Sequence, residues 1–348
     1  MHMRRFSILL ATMIFLFHVC ASCTKSPEAG LYIEDQPALL TAQEHQRLVE
    51  TGKAILRDLN IHIKTVILKD HAEDIDHKAS EIFSTEALGK KTAGARGILF
   101  LIDPKGRQVR LEIGYGLEPL FPDGFIGYLE RRQMLPFFRS GQVGPGIEAT
   151  MELIVGKALG TIDEDRYRID PVPKKHSQDH YSGGAGARIT VGNNSEAPRT
   201  ERAYRKEEFS PQKSPVRTLE QYRKVLAHHM KDPSLELYTP QTQKFFAEWT
   251  VTDAQQDNEL RTLESVSGQE KLFCEGDRAV IRFPLNNRQA PPYFFRRINS
   301  VWMLDFAGMN SIIGFNHLNQ WHFIKTDHPW RFAFSDLHID KNGSPHAR

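Results

Sequence analysis

Cysteine is scarce in this chain, with three in 348 residues, at positions 20, 23 and 274. Two of them sit in the N-terminal segment, so Cys274 is the one thiol left for the folded body. A single thiol closes no internal disulfide, and the fold must rest on packing. Cys274 lies in the apolar run Leu272-Phe273-Cys274 and reads as a small buried hydrophobe rather than a nucleophile. Net charge is also slight: 45 basic against 43 acidic residues leave +2, which excludes charge-driven nucleic-acid binding, and no recognition motif accompanies it. The chain has no G-x-x-x-x-G-K-[ST] phosphate loop, no H-E-x-x-H helix and no G-x-S-x-G elbow. Nucleotide-driven work, zincin-type metalloproteolysis and serine-hydrolase chemistry all lose their usual signatures.

What is present begins at the N-terminus. Arg4 and Arg5 precede an apolar stretch from Phe6 to Val19, the layout of an export signal. The stretch falls short of the roughly 20 apolar residues that span a bilayer. Cys20-Ala21-Ser22-Cys23 follows and is similar to a bacterial lipobox, with Cys23 as the residue that would be acylated. Residues 1–23 are therefore expected to be a signal peptide, and the chain an exported, membrane-anchored lipoprotein facing the periplasm or cell exterior.

The segment 96–146 carries the most information. An apolar run from Gly97 to Ile102 meets the turn Asp103-Pro104-Lys105-Gly106, and a second run from Arg107 to Ile113 ends in Gly114-Tyr115-Gly116-Leu117-Glu118. Two β-rich runs around a Pro/Gly turn predict a hairpin. The glycines flanking Tyr115 let the backbone turn where the strand stops and expose the ring. Before the hairpin, Thr41 and Glu44 have capping-box spacing, followed by Leu48, Gly52, Ile55, Leu56 and Leu59 on one helical face. Ile61 to Leu68 reads as a strand, and Ile75, Ala79, Ile82 and Phe83 mark a second helix. A third starts at Phe125 and is bent or ended by Pro136, and a fourth carries Ile147, Met151, Ile154, Val155 and Leu159. Helices on both faces of a short mixed sheet make an α/β/α sandwich.

This order of parts resembles the TPM domain family over residues 31–160. The matching pieces are the paired strands, the Gly-Tyr-Gly-Leu-Glu turn, Asp123, Leu135-Pro136 with Phe138, Gly141 and Gly146, and upstream Asp35 with Leu40 and Thr41. The chain departs from the family pattern at two places: Arg96 stands where Asn is frequent, and Gln142 where Asp is. The resemblance implies the fold and, as analogy only, a phosphatase activity.

From 161 to 217 the periodicity disappears and basic, Gly- and Asn-rich sequence predicts a flexible linker. A smaller α+β domain over 218–340 is expected beyond it, its first helix opened by a Thr218–Gln221 capping box and its second by Pro240. Strand-like runs at 279–283, 293–298, 301–307 and 312–315 predict an antiparallel sheet, faintly similar to the NTF2-like cone. Phe294, Phe295, Trp302, Phe306, Trp321 and Trp330 read as its core before they read as a pocket.

Candidate chemistry follows from placing the end of the first long strand beside the end of the second hairpin strand. Lys69-Asp70 would then approach Gly114, Tyr115 and Gly116, with Glu118 and Asp123 close behind and Asp35 joining from the first helix start. Asp35, Glu118 and Asp123 are the candidate metal ligands, suited to Ca²⁺ or Mg²⁺, and Asp70, Gly114, Tyr115 and Gly116 the candidate binding residues. The expected role is a membrane-tethered envelope module that binds a protein partner. The alternative is a metal-dependent phosphatase outside the cytoplasm.

Overall fold

The computed structural model describes residues 28–160, 186–190, 205–286 and 288–348. The expected signal peptide and Cys23 lie outside these residues.

The N-terminal half is built on a five-stranded mixed sheet in sequential order, β1 (Ile33–Asp35), β2 (His62–Ile67), β3 (Gly97–Asp103), β4 (Gln108–Ile113) and β5 (Gly186–Thr190). The first three strands run parallel, and β4 and β5 each run antiparallel to their neighbour. Every residue of β2 and β3 is buried. That is the signature of strands covered on both faces, and β3 is accordingly almost continuously apolar, whereas β2 buries His62, Lys64 and Thr65 between its apolar residues. On one face Ile98, Phe100 and Ile102 pack with Leu48 and Ile55 of α1 (Ala42–Leu59) and Ile147 and Ile154 of α5 (Val143–Ala158). On the other, Leu99 and Leu101 meet Ile75 and Ala79 of α2 (Ile75–Thr85).

Local chemistry sets the boundaries. Thr41 and Glu44 cap α1 reciprocally, and Asn60 ends it in the left-handed region at φ 54°. The third helix is α3 (Asp123–Tyr128), which passes through a π turn at Leu129–Met134 into α4 (Leu135–Arg139). Leu135 N–H reaches back five residues to the Glu130 carbonyl. Pro136 has no N–H to offer, so the ladder changes register just where proline enters it.

The C-terminal half places α6 (Pro215–Ala227), α7 (Pro240–Ala247) and α8 (Asp253–Ser265) before an antiparallel meander of β6 (Lys271–Glu275), β7 (Arg278–Arg282), β8 (Tyr293–Ile298) and β9 (Val301–Leu304). One face of β7 and β8 buries Ala279, Ile281, Tyr293 and Phe295 against Tyr222 and Leu263 of the helices. The other buries Val280 and Phe294 against Trp321, Phe323, Trp330 and Phe334 of two small hairpins and their connection. The six aromatics expected in the core are all buried there.

Several expectations need correction. Part of the segment read as linker is built structure: residues 186–190 form the edge strand β5, and Phe209 is a core residue of the C-terminal half. The helix read from Thr218 begins at Pro215, where fixed φ and a missing N–H are both suited to a first turn. Thr218 is instead buried, its hydroxyl donating to the Trp302 carbonyl. Helix α8, with its Thr252–Gln255 capping box, has no counterpart in the sequence reading. The run 301–307 stops at Leu304, because Asp305 caps a short helix, α9 (Phe306–Asn310), by accepting from Gly308 N–H. Cys274 is exposed on edge strand β6, where alternation turns it outward; burial of its surroundings pushes the thiol pKa up, so it is not an activated nucleophile.

The two halves are in contact. Tyr128 Oη donates to Asp257 at 3.0 Å, Arg132 pairs with Asp253 at 3.1 Å, and Thr252 donates to the buried Gln133 at 2.5 Å. His317 binds Asp58 at 2.5 Å, and Ala254 sits within the N-terminal core.

Candidate functional site

The strand directions decide where the expected site residues fall. In β1, Asp35 pairs with Ile67, which pairs with Ile102 and so with Val109. Asp35, Lys69-Asp70 and the Asp103 turn therefore share one end of the sheet. Because β4 runs back along β3, Gly114 lies at the other end, its N–H on the Gly97 carbonyl. A six-residue strand is about 20 Å long, so Asp35 cannot share an ion with Glu118 and Asp123, and Asp70 does not approach Tyr115. The proposed juxtaposition is corrected. Its error was visible in the sequence, since a hairpin returns its second strand to the start of the first.

Asp35, Asp103 and Asp70 at this end already have work. Asp35 is buried and accepts from the N–H groups of Leu39 and Leu40 at 3.0 and 2.8 Å, fixing the approach to α1. Asp103, with a fully covered side chain, accepts from Gly106 N–H, Ala72 N–H and His71 Nδ1 at 2.7, 3.0 and 2.7 Å. Asp70 pairs with Lys105 on the surface at 2.9 Å. At the opposite end Asp123 is an exposed first-turn acid of α3, favourable at a helix N-terminus. Among the described residues no group of three or more His, Cys, Asp or Glu side chains is placed to hold a metal ion.

The glycines around Tyr115 serve close approach. A Cβ on Gly114 would come within 2.5 Å of the Ala95 carbonyl oxygen, and one on Gly116 would collide with the Gly94 carbonyl. Tyr115 itself is 63% exposed. The two departures from the family pattern have structural uses: Arg96 Nε donates to the Asn60 carbonyl, and Gln142 Nε2 reaches the Glu248 carbonyl in the other half of the molecule.

A different concave site opens between the halves. It has a volume of about 910 Å³. One wall is α1 and α5, with Arg47, Glu148 and Glu152; the other carries Tyr238, Phe246, Trp249 and Phe306 beside Glu259 of α8. Glu259 accepts from Tyr222 Oη at 2.8 Å and Tyr293 Oη at 2.7 Å. Burial nevertheless raises its pKa, the two phenol hydrogen bonds opposing the shift without cancelling it. Glu152 opens onto the cleft yet is crowded by both walls. Burial, aided by the charge of Glu259, pushes its carboxyl up to about 7. No short motif announces this pair, because α5 and α8 come from different halves of the chain.

Residues 33–157 match the family model of the TPM domain, and this part of the chain is a TPM domain. No curated protein matches the chain. Six solved chains match, among them the solution NMR structure of the N-terminal domain of a P. gingivalis protein. It is 22% identical, covers 38% of this chain and 83% of that one, and has a TM-score of 0.33.

Proposed function

We propose that this protein is a binding or accessory module of the cell envelope, exported by its first 23 residues and held at a membrane through a lipid on Cys23. Its TPM domain presents a surface to an envelope protein partner. The observation that carries this reading is the commitment of the domain's acids: Asp35 and Asp103 are occupied by fixed N–H and imidazole donors, and they stand a strand length from the Gly114 turn that leads into Glu118. Asp35, Glu118 and Asp123, not brought together, do not fit one Ca²⁺ or Mg²⁺ ion. The exposed Tyr115, on a turn whose glycines bring two backbone segments together, offers a rigid aromatic contact of the kind enriched at interfaces.

The alternative, a metal-dependent phosphatase, is favoured by the phosphatase label of the matching family model. Fold likeness alone does not establish chemistry. The test has two arms. Metabolic labelling of the full chain with an alkynyl fatty acid should tag the native protein and fail with Cys23→Ala. In parallel, p-nitrophenyl phosphate hydrolysis with Ca²⁺ or Mg²⁺ should stay at the background of Asp123→Asn. Turnover that Asp123→Asn abolishes while the fold persists would replace the binding reading by the enzymatic one, and unchanged labelling of Cys23→Ala would remove the lipid anchor.

A further inference from the structure

The cleft between the halves holds more acceptors than the protein uses. Of the charged groups facing it, Arg47 pairs with Glu148 at 2.9 Å, Lys231 pairs with Asp253, and Asp232 pairs with Lys206 at 2.5 Å. Asn319 Nδ2 donates to the Glu152 carbonyl, but the Glu152 carboxylate has no hydrogen-bond or ion-pair partner among the described residues, and the Glu259 carboxylate is held by two phenols and no cation. Gln256, only 4% exposed, donates through Nε2 to the Met230 carbonyl at 3.0 Å, but its Oε1 is buried at the cleft wall with no donor. Buried acceptors of this kind are ordinarily satisfied, and an unsatisfied one calls for a partner. Around them stand the rings of Tyr238, Phe246, Trp249 and Phe306.

We infer that this cleft binds an organic cation, an ammonium or guanidinium head carried on an apolar body. Two carboxylates without a cationic partner supply the acceptors that a multi-donor N–H head requires. Aromatic faces add cation–π attraction and accept the apolar part. An anion would meet like charge, and an apolar molecule would bury the carboxylates unpaired, which is costly. A bare divalent ion finds no cluster of three ligands among the described residues. The inference concerns the cleft alone and stands whether or not the chain is lipidated.

The test is calorimetric titration of the full chain at pH 8 with 4-phenylbutylamine and with its neutral counterpart 4-phenylbutan-1-ol. The amine should bind saturably, at least tenfold more tightly than the alcohol. Glu152→Gln, which removes a charge without removing a bond, should weaken the amine about tenfold and leave the alcohol unchanged. Amine affinity should fall between pH 8 and pH 6 as Glu152 takes up its proton, and should change little over that range in Glu152→Gln. A blocked Phe-Lys-Phe tripeptide distinguishes a peptide side chain from a free amine as the source: tighter binding than 4-phenylbutylamine assigns the site to a chain, and weaker binding to a small molecule. Equal affinity for amine and alcohol, no saturable binding of either cationic probe, or a Glu152→Gln variant that binds the amine normally would each overturn the assignment.

Discussion

The two acidic regions of this molecule differ in what their carboxylates are doing. At the Asp35 end of the sheet, Asp103 has three donors within 3.0 Å and Asp35 at least two. In the cleft, Glu152 has none and Glu259 meets only neutral phenols. The first region has its polar groups fixed in turns and helix approaches; the second keeps them open. Capacity to bind is set by what remains unsatisfied after folding, not by how many acids a region contains.

The largest test of that contrast is to remove one carboxylate from each region. Asp103→Ala strips the acceptor from two partly buried N–H groups and from the half-exposed His71 imidazole. It should destabilise the protein by about 1–3 kcal/mol, since two partly buried N–H groups lose their acceptor while the half-exposed imidazole turns to water. Glu152→Gln should change stability by less than about 0.5 kcal/mol at pH 5, the ordinary range for a substitution that breaks no bond. Urea midpoints at constant slope measure both. Equal losses would erase the distinction between occupied and vacant acids.

A smaller effect is expected where the family pattern is restored. Gln142→Asp removes the donor that reaches the Glu248 carbonyl and sets a carboxylate near that oxygen. The cost should be about 1 kcal/mol, the net worth of one such hydrogen bond. It should create no Ca²⁺ or Mg²⁺ site detectable by calorimetry, because Asp35 remains at the far end of the sheet from Glu118. Saturable cation binding by this variant would show that the acid at 142 alone decides the matter.

The same contrast explains which features were legible beforehand. Thr41–Glu44, the Asp103–Gly106 turn and the glycines beside Tyr115 act over a few residues, so their chemistry is written locally. The TPM domain could be recognised because its local pieces recur in order. Asp35 and Glu118 failed as partners because strand direction, a property of the whole sheet, separates them. Glu152 and Glu259 were invisible for the converse reason: packing of the two halves brings distant segments to one cleft, and neither helix carries a marker of the other. Helix α8 escaped notice because its buried positions include Gln256 beside Ala254, Leu260 and Leu263, which dilutes the apolar stripe. Edge strand β5 is five residues with Arg and Thr among them, too short and mixed to stand out from its surroundings.

The smallest effect expected is a pH slope from the open acid. The Glu152 carboxyl rises from an ordinary 4.5 to about 7 in the folded protein. Below pH 4.5 both folded and unfolded chains hold its proton and the carboxyl contributes no difference. Between 4.5 and 7 the unfolded chain releases the proton first, so the folded state binds more protons and stability falls as pH rises. Above 7 the penalty is constant. Glu130, wholly buried with one oxygen unpartnered, and Glu259 are raised in the same direction, so the native protein should lose stability from pH 5 toward pH 8 in several contributions. Glu152→Gln should flatten only part of that slope, because water in the cleft screens its charge. Glu130→Gln, in a dry site, should flatten more of it while keeping an acceptor for the Leu111 N–H. Urea midpoints of the three proteins at pH 5, 6.5 and 8 give the comparison, and a Glu152→Gln slope as flat as that of Glu130→Gln would mean that the cleft is as closed to solvent as the core.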